Sequence, residues 1–344
     1  MRALLIPFAI IYHLITAFRN WLYDVGLWKS KSYDFPVIGV GNLKTGGTGK
    51  TPMAIYLLNH LKGRDLAMLS RGYGRRTSGF RLVSLTDAAK DVGDEPALIK
   101  TAVPSTLVAV DENRVHGVTS ILKMDTTINT LILDDVFQHR AVNPGHMILL
   151  TVYDDLYVND LVLPAGSLRE SSRGASRANT IVVTKCPKDL SQQQRNDVIN
   201  KLSTQAHQEV FFAFEEHGQL RRVGQSDDVV DLSSADNILL VTGIAKTDSI
   251  LKHLHGQKIE HLKFRDHHAF TVQNVKSMKA QFEQLPSGNN LIVTTQKDAQ
   301  RLQSLLQNEN FAKLPIYAIE HQMELLSTDR EAFQLRIDEY INSH

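Results

Sequence analysis

The chain has 344 residues, a formal net charge of +1, 42% hydrophobic residues and 22% charged residues. That length holds two domains of roughly 100–200 residues each, and the composition is that of an ordinary globular protein. The balanced charge gives no global field for nucleic acid, so any anion site must be local. The one cysteine, Cys186, excludes an intramolecular disulfide and a cysteine-rich zinc site, and it fits a reducing compartment.

The first feature is an apolar run from Ala3 to Phe18, followed by Trp21, Leu22 and Tyr23. The run is shorter than the roughly 20 residues that span a bilayer. Pro7 either kinks it or marks its start. His13, Thr16, Asn20 and Asp24 recur at helical spacing as a narrow polar stripe, with Arg2, Arg19, Lys29 and Lys31 around the run. This pattern predicts a helix lying in a membrane interface. A signal peptide and a helix packed on the protein's own core are the alternatives.

Short apolar runs then alternate with helical patterns, which predicts βα units and a mostly parallel sheet. Strands are expected at Val37–Val40, Leu66–Leu69, Thr106–Val110, Leu131–Leu133, Met147–Val152 and Thr180–Thr184. A helix capped by Asp111 is expected to run to Lys123. Glu209–Glu215 and Arg221–Val223 flank His217-Gly218-Gln219, which reads as a hairpin turn. A second series follows, with strands at Ile238–Val241, Glu260–Phe264, Leu291–Thr294 and Ile316–Ile319. Helices are expected between them near Thr247–Leu254, Val272–Gln284 and Asp298–Gln307.

The first predicted strand leads into Gly46-Gly47-Thr48-Gly49-Lys50-Thr51, and a helical pattern opens near Thr51. Glycines let backbone N–H groups face phosphate oxygens, and a helix N-terminus adds positive potential. Lys44, Thr45, Gly46, Gly47, Thr48, Gly49, Lys50 and Thr51 are therefore the candidate nucleotide-binding residues. Lys50 is expected at the β/γ-phosphates and Thr51 at Mg²⁺. Lys44 stands where the usual spacing has glycine.

Asp134-Asp135 ends a predicted strand, where a P-loop protein places a metal-holding acid. The pair equally suits a loop start with a capping duty. Gly93-Asp94-Glu95-Pro96 is an acidic turn in which Asp94 serves either as a proton acceptor or as a helix cap. Asp266-His267-His268 reads as an oriented base, a phosphate contact or plain surface histidines. Ser70-Arg71-Gly72-Tyr73-Gly74-Arg75-Arg76 offers cations to an anionic substrate. Leu163–Glu170 looks like an ordered loop carrying Arg169-Glu170.

In this order, Gly41-Asn42 through Gly46–Pro52, Ser70–Gly74, Gly93–Pro96, Asp134–His139, Leu163–Glu170, Gly243-Ile244-Ala245, Asp266-His267-His268 and Thr295–Asp298 resemble the tetraacyldisaccharide 4'-kinase family. The resemblance implies a P-loop NTPase-like α/β/α sandwich with a second, smaller α/β domain. With the two strand series, it divides the chain into a membrane-associating helix (1–30), a kinase domain (31–206), a β-hairpin linker (207–231) and a C-terminal α/β domain (232–344), with one continuous sheet as the alternative. It implies Mg²⁺ and ATP-dependent phosphorylation of the 4'-hydroxyl of a tetraacyldisaccharide 1-phosphate, giving lipid IVA in lipid A biosynthesis. By matching motif, Asp94 is the catalytic carboxylate and His267 its partner, with Lys50 at the transferred phosphoryl group. Thr51, Asp134 and Asp135 are implied at the metal, and Arg71, Gln138, His139, Arg169 and Glu170 at the substrate. The implied partners are the acylated disaccharide lipid and a membrane surface, at the cytoplasmic face of the inner membrane, with neither nucleic acid nor an obligate protein partner. A P-loop ATPase switch acting on a membrane-surface partner is the alternative activity.

Overall fold

The computed structural model describes residues 2–224, 228–244, 247–306, 308 and 311–344, with the side chains of Arg2 and Ala3 excepted. Ala245 of the Gly243-Ile244-Ala245 motif, Gln307 and the Arg2 side chain lie outside these described residues.

The first part of the chain runs α1 (Arg2–Asp24), β1 (Val37–Asn42), α2 (Lys50–His60), β2 (Leu66–Ser70), β3 (Arg81–Leu82), α3 (Ala89–Val92), α4 (Asp94–Ala102), β4 (Leu107–Val110), α5 (Arg114–Met124) and β5 (Thr130–Asp134). It continues through β6 (His146–Val152), β7 (Thr180–Thr184) and α6 (Gln192–Leu202) to β8 (Glu209–Arg222). After β9 (Val229–Val230) come β10 (Asn237–Thr242), α7 (Asp248–His253), β11 (Lys258–Lys263), α8 (Val272–Phe282), β12 (Asn290–Thr295), α9 (Gln296–Leu306), β13 (Ile316–Leu325) and α10 (Ser327–Asn342).

The strands form one sheet in the order β11-β10-β12-β13-β8-β7-β6-β1-β5-β2-β4-β3, with β9 beside β8. The inner strands are short apolar runs because helices cover both faces. In β1, Ile38 and Val40 enter a core shared with α2 and α10, while Val37 enters a core on the opposite face with α5 and α6. Two further apolar clusters cover the faces of the β10–β12 region.

The junction between the two strand series differs from the sequence expectation. Glu209–Arg222 is one 14-residue strand, so there is no turn at His217-Gly218-Gln219. Its first part pairs in parallel with β7 and its second part antiparallel with β13, with a bulge between Ile319 and His321. Gly218 is there for space: a Cβ on it would stand 2.7 Å from Glu320 Oε2. The chain reverses only later, to pair Leu220 and Arg221 with Val230 and Val229.

Two capping expectations also change. Asn113, not Asp111, caps α5, its side chain accepting the His116 N–H at 3.2 Å. Asp94 is the first residue of α4 and Gly93 is its N-cap. Gly93 has φ +100°, and a Cβ there would lie 3.2 Å from the Gly72 backbone, so glycine allows α4 to start against that loop.

Helix α1 is 23 residues long with Pro7 inside it. Among the described residues it is the one helix long and apolar enough to cross a membrane, with 11% of its apolar window buried. Leu4, Phe8, Ile11, Leu14, Ile15, Phe18 and Trp21 are exposed, while Ala9 and Thr16 are buried against the body of the protein.

Candidate active site

The β1–α2 loop is shaped by its glycines. Gly46 has φ +102° and Gly49 has φ +89°, and Gly49 is the N-cap of α2. The first turn of a helix leaves backbone N–H groups without intrahelical acceptors, here at Lys50 and Thr51 over the loop. Thr48 and Thr51 are buried. Asn42 Nδ2 donates to Thr48 Oγ1 at 2.6 Å, and Thr184 Oγ1 donates to the Thr48 carbonyl at 3.0 Å. The loop start is braced by Ser167–Arg169: Thr45 N–H donates to the Ser167 carbonyl at 2.8 Å and Arg169 N–H to the Leu43 carbonyl at 2.8 Å.

Lys44 needs a correction as a nucleotide contact. Its ammonium is buried between Asp155 and Asp160, 2.9 Å from Asp160 Oδ2. That pair consumes its charge away from the loop's glycines. Thr45 likewise spends its N–H on the Ser167 carbonyl, and Thr48 spends its own on the Gly46 carbonyl at 2.9 Å.

Strand β5 delivers Asp134 and Asp135 beside this loop. Asp134 is fully buried; Ser70 Oγ donates to its Oδ2 at 3.0 Å, and its Oδ1 has no partner among the described residues. Burial first, then the nearby Glu95 and Asp135 charges, push its carboxyl up to about 7. A buried carboxylate oxygen without a partner among the described residues, on a group that burial pushes toward its protonated form, fits a divalent cation, which would replace the proton. Asp135 behaves differently. Arg169 grips both of its oxygens, at 3.2 and 3.0 Å, and Lys50 Nζ lies 3.7 Å from Oδ1. Burial opposes its ionisation, but Lys50 and Arg169 outweigh it and hold the carboxyl below the ordinary range. Asp135 is thus engaged by cations of the chain, with one Arg169 bond to each of its oxygens.

Gln138, Arg169 and Glu170 form a network that reaches Asp135. Gln138 donates to the Asn42 carbonyl at 2.8 Å and to Glu170 Oε1 at 3.2 Å, and accepts from Arg169 at 3.0 Å. Glu170 is fully buried and paired with Arg177 at 2.9 Å. His139 has a buried Nε2 without a partner, and burial, then the charges of Arg114 and Arg71, push its imidazole down to about 4. Arg71 itself is exposed.

The second focus lies at the start of α4. His267 Nδ1 is 3.4 Å from Asp94 Oδ2, across 173 residues of sequence. His267 holds φ +55°, which turns its ring out of the β11–α8 loop. His268 faces the other way, bonded to Asn274 at 3.1 Å and stacked on Phe264 at 4.5 Å. Next to Asp94, Glu95 meets Lys297 at 3.0 Å. Burial opposes ionisation of Glu95, but Lys297 and Lys50 outweigh it and lower its titration range. Adjacent residues on one helical turn therefore face the two foci: Asp94 meets His267, and Glu95 feels Lys50 of the phosphate loop.

Sequence reasoning missed Arg301, Ser70, Asn42 and Arg114 as members of this site. Arg301 sits one turn after Asp298 in α9 and donates from Nε to Asp94 Oδ2 at 3.0 Å. Its helical spacing from the Lys297-Asp298 motif was the available signal. Asp298 is structural: it is buried, accepts the Gly243 N–H at 2.9 Å and pairs with Arg301 at 2.9 Å.

A phosphate cradle, a strand-end acid suited to a cation and a separate carboxylate–histidine pair on the neighbouring helix describe a P-loop phosphotransferase rather than a simple nucleotide-binding domain. Comparison with known proteins narrows the class. A family profile described as tetraacyldisaccharide-1-P 4'-kinase matches residues 1–342. The tetraacyldisaccharide 4'-kinase of Flavobacterium psychrophilum is 41% identical, over 100% of this chain and 98% of the relative. That of Bacteroides thetaiotaomicron is 40% identical, over 99% and 93%. A crystal structure of LpxK from Aquifex aeolicus in complex with ATP superposes with a TM-score of 0.77 and 29% identity, covering 99% of each chain. The chain belongs to the tetraacyldisaccharide-1-phosphate 4'-kinase family and is a kinase.

Proposed function

We propose that this kinase transfers the γ-phosphoryl group of ATP to the 4'-hydroxyl of a tetraacylated glucosamine disaccharide 1-phosphate, giving lipid IVA. The observation that carries the acceptor half is the Asp94–His267 pair, set one residue from Glu95, which answers to the charge of Lys50.

The chain's own groups divide the work. N–H groups of Gly46, Gly47, Gly49, Lys50 and Thr51 bind the phosphates, and Lys50 offsets charge on the transferred group. Asp134 and Thr51 are the residues that would hold Mg²⁺, which would supply charge neutralisation at the phosphates. Asp94 Oδ2 is occupied by Arg301 and His267, whereas its Oδ1 accepts no bond among the described residues. Oδ1 is therefore the atom that takes the sugar hydroxyl proton. His267 Nδ1, 3.4 Å from Asp94 and 3.1 Å from Arg301 Nη2, either donates to the carboxylate or accepts from the guanidinium, so its tautomer sets how Asp94 is oriented. Arg71, Gln138, His139, Arg169 and Glu170 line the acceptor side.

The chain works as a kinase domain (31–206) and a C-terminal domain (232–344) joined through 207–231, with the reaction between them. The exposed apolar face of α1 lies in the cytoplasmic leaflet of the inner membrane, where ATP and an acylated acceptor meet. An in-plane position is supported by the bonds that tie its opposite edge to the protein, Tyr12 to the Arg169 carbonyl at 2.8 Å and Asp24 to Arg140 at 2.7 Å.

Incubation with γ-labelled ATP, Mg²⁺ and the acylated disaccharide 1-phosphate tests the reading. Label is expected in the lipid. Label released only as free phosphate would replace the kinase assignment on this acceptor with hydrolysis.

A further inference from the structure

Helix α1 does more than present an apolar face. Its inner edge carries polar side chains that end on the very residues gripping the nucleotide site. Asn20 Nδ2 donates to Glu170 Oε2 at 2.6 Å, across 150 residues of sequence. Tyr12 OH donates to the Arg169 carbonyl at 2.8 Å. Arg140 Nη1 donates to the Asn20 carbonyl at 2.8 Å, and Arg19 Nη2 donates to Asn20 Oδ1 at 3.0 Å, so the Asn20 amide is held in one orientation.

From there the bonds run inward without a break. Glu170 has no exposed surface, and its other oxygen accepts from Gln138 at 3.2 Å and Arg177 at 2.9 Å. The Arg169 guanidinium donates to Gln138 at 3.0 Å, to Asn42 Oδ1 at 2.5 Å and to both oxygens of Asp135. Asn42 in turn bonds Thr48 of the phosphate loop, and Asp135 faces Lys50. A pure anchor needs none of these contacts, because apolar burial alone drives a helix into an interface. A buried carboxylate such as Glu170, however, is held in one place only while all its donors are present.

We propose that Asn20 and Tyr12 are positioning residues: the membrane-facing helix sets Glu170 and Arg169, and through them Asp135 and the phosphate loop, so that catalysis depends on α1 being seated on the body of the enzyme. The proposal rests on the reading that Arg169 and Glu170 belong to the active site.

The test uses the full chain and separates anchoring from positioning. Asn20→Leu deletes the donor and makes α1 more apolar. Sedimentation with phosphatidylethanolamine–phosphatidylglycerol vesicles is then expected to hold or rise. The kcat with acylated disaccharide 1-phosphate in mixed micelles is expected to fall about tenfold, as for loss of a hydrogen bond to a charged group, with KM for the lipid little changed. Asn20→Gln, which keeps the donor, is expected to recover part of kcat. Tyr12→Phe removes one hydroxyl without changing shape and is expected to lower kcat about threefold, which keeps the test decisive should Asn20→Leu not fold. A kcat within about twofold of the unmodified enzyme for both variants, where a lost charged hydrogen bond costs more, overturns the proposal. So does a loss of kcat that only tracks lost vesicle binding. Arg169→Met and Glu170→Gln are measured alongside. If they leave kcat unchanged, the site reading fails; if they lower kcat and the α1 variants do not, only the coupling fails.

Discussion

Arg301 and Asp94 lie 207 residues apart and meet on a single carboxylate oxygen, with Arg301 Nε donating to Asp94 Oδ2 at 3.0 Å and Nη2 closing on the same atom. Arg301 also donates to the Gly243 carbonyl at 3.1 Å. A turn earlier in α9, Lys297 meets Glu95 at 3.0 Å, and Gln300 bonds Thr101 at 3.1 Å. Helix α9 thus supplies a cation to each of the two acids that open α4. The guanidinium orients the carboxylate and ties the β10–β13 half of the sheet to the half that carries the phosphate loop.

Removing that fork should affect catalysis more than folding. Arg301→Gln is expected to lower kcat/KM about tenfold to a hundredfold, the range for a lost charged hydrogen bond, with Arg301→Lys in between because an ammonium cannot reproduce the fork. Amide exchange at the start of α4 should rise in the same order. A wild-type rate in Arg301→Gln would reduce the contact to a docking bond.

Asp94→Asn keeps the shape and removes the proton acceptor. Turnover is expected to drop by about two to four orders of magnitude, the usual contribution of a positioned general base. ATP affinity, measured by calorimetry, should be retained, because the phosphate loop and Lys50 are untouched. Near-normal turnover would take Asp94 out of the mechanism.

Gly49→Ala should damage the donor half. The added Cβ would stand 2.5 Å from Met323 Cε, at a backbone φ of +89°. Met323 ends in a flexible thioether and can move, but the left-handed backbone costs about 1–2 kcal/mol whatever the space. We expect a lower melting temperature and weaker ATP binding, with Met323→Ala in the same chain relieving only part of the loss. Full recovery by Met323→Ala would show that the clash, not the backbone, limits the site.

His217 predicts an acid-sensitive junction. Both its ring nitrogens are buried and meet no hydrogen bond of good geometry among the described residues, and it lies on β8, where the two halves of the sheet join. It faces Glu215 on its own strand, Glu320 and His321 on β13 and His253 at the end of α7; Lys185 acts on Glu215, and Glu216 and Lys188 act on His253. Burial, then His321 and His253, push its imidazole from 6.5 down to about 4. The folded state therefore holds fewer protons than the unfolded one between those values. Its stabilising effect is full above pH 6.5 and is lost as pH falls toward 4. In His217→Phe the melting temperature should decline less over that window. An unchanged acid limb would assign the effect to other groups.

Much of the fold is legible along the chain, for a local reason. Strands buried on both faces need apolar side chains at nearly every position, so Val37–Val40 and Thr180–Thr184 announce themselves. The exceptions have causes too. Gly218 reads as a turn from its own conformational freedom, yet it serves a neighbour, Glu320, on a strand that only folding brings alongside. Helix α10, with Phe333, Ile337 and Ile341 buried at four-residue spacing, carries a readable signal that the strand–helix alternation hides.

The sequence by itself determined the glycine-rich loop after β1 and the acids at the end of β5, because glycine spacing and strand length are local properties of consecutive residues. Only the tertiary structure decided which charges meet. It placed Lys44 against Asp155 and Asp160, gave Asp135 to Arg169, turned His267 rather than His268 to Asp94, and brought Arg301 to the same carboxylate. Those pairings span 34 to 207 residues, and the two adjacent histidines part ways, His267 to Asp94 and His268 to Asn274 and Phe264. Coulomb and hydrogen-bond energies depend on distances of a few ångströms, and such distances between remote residues exist only once the sheet has set the path of the chain.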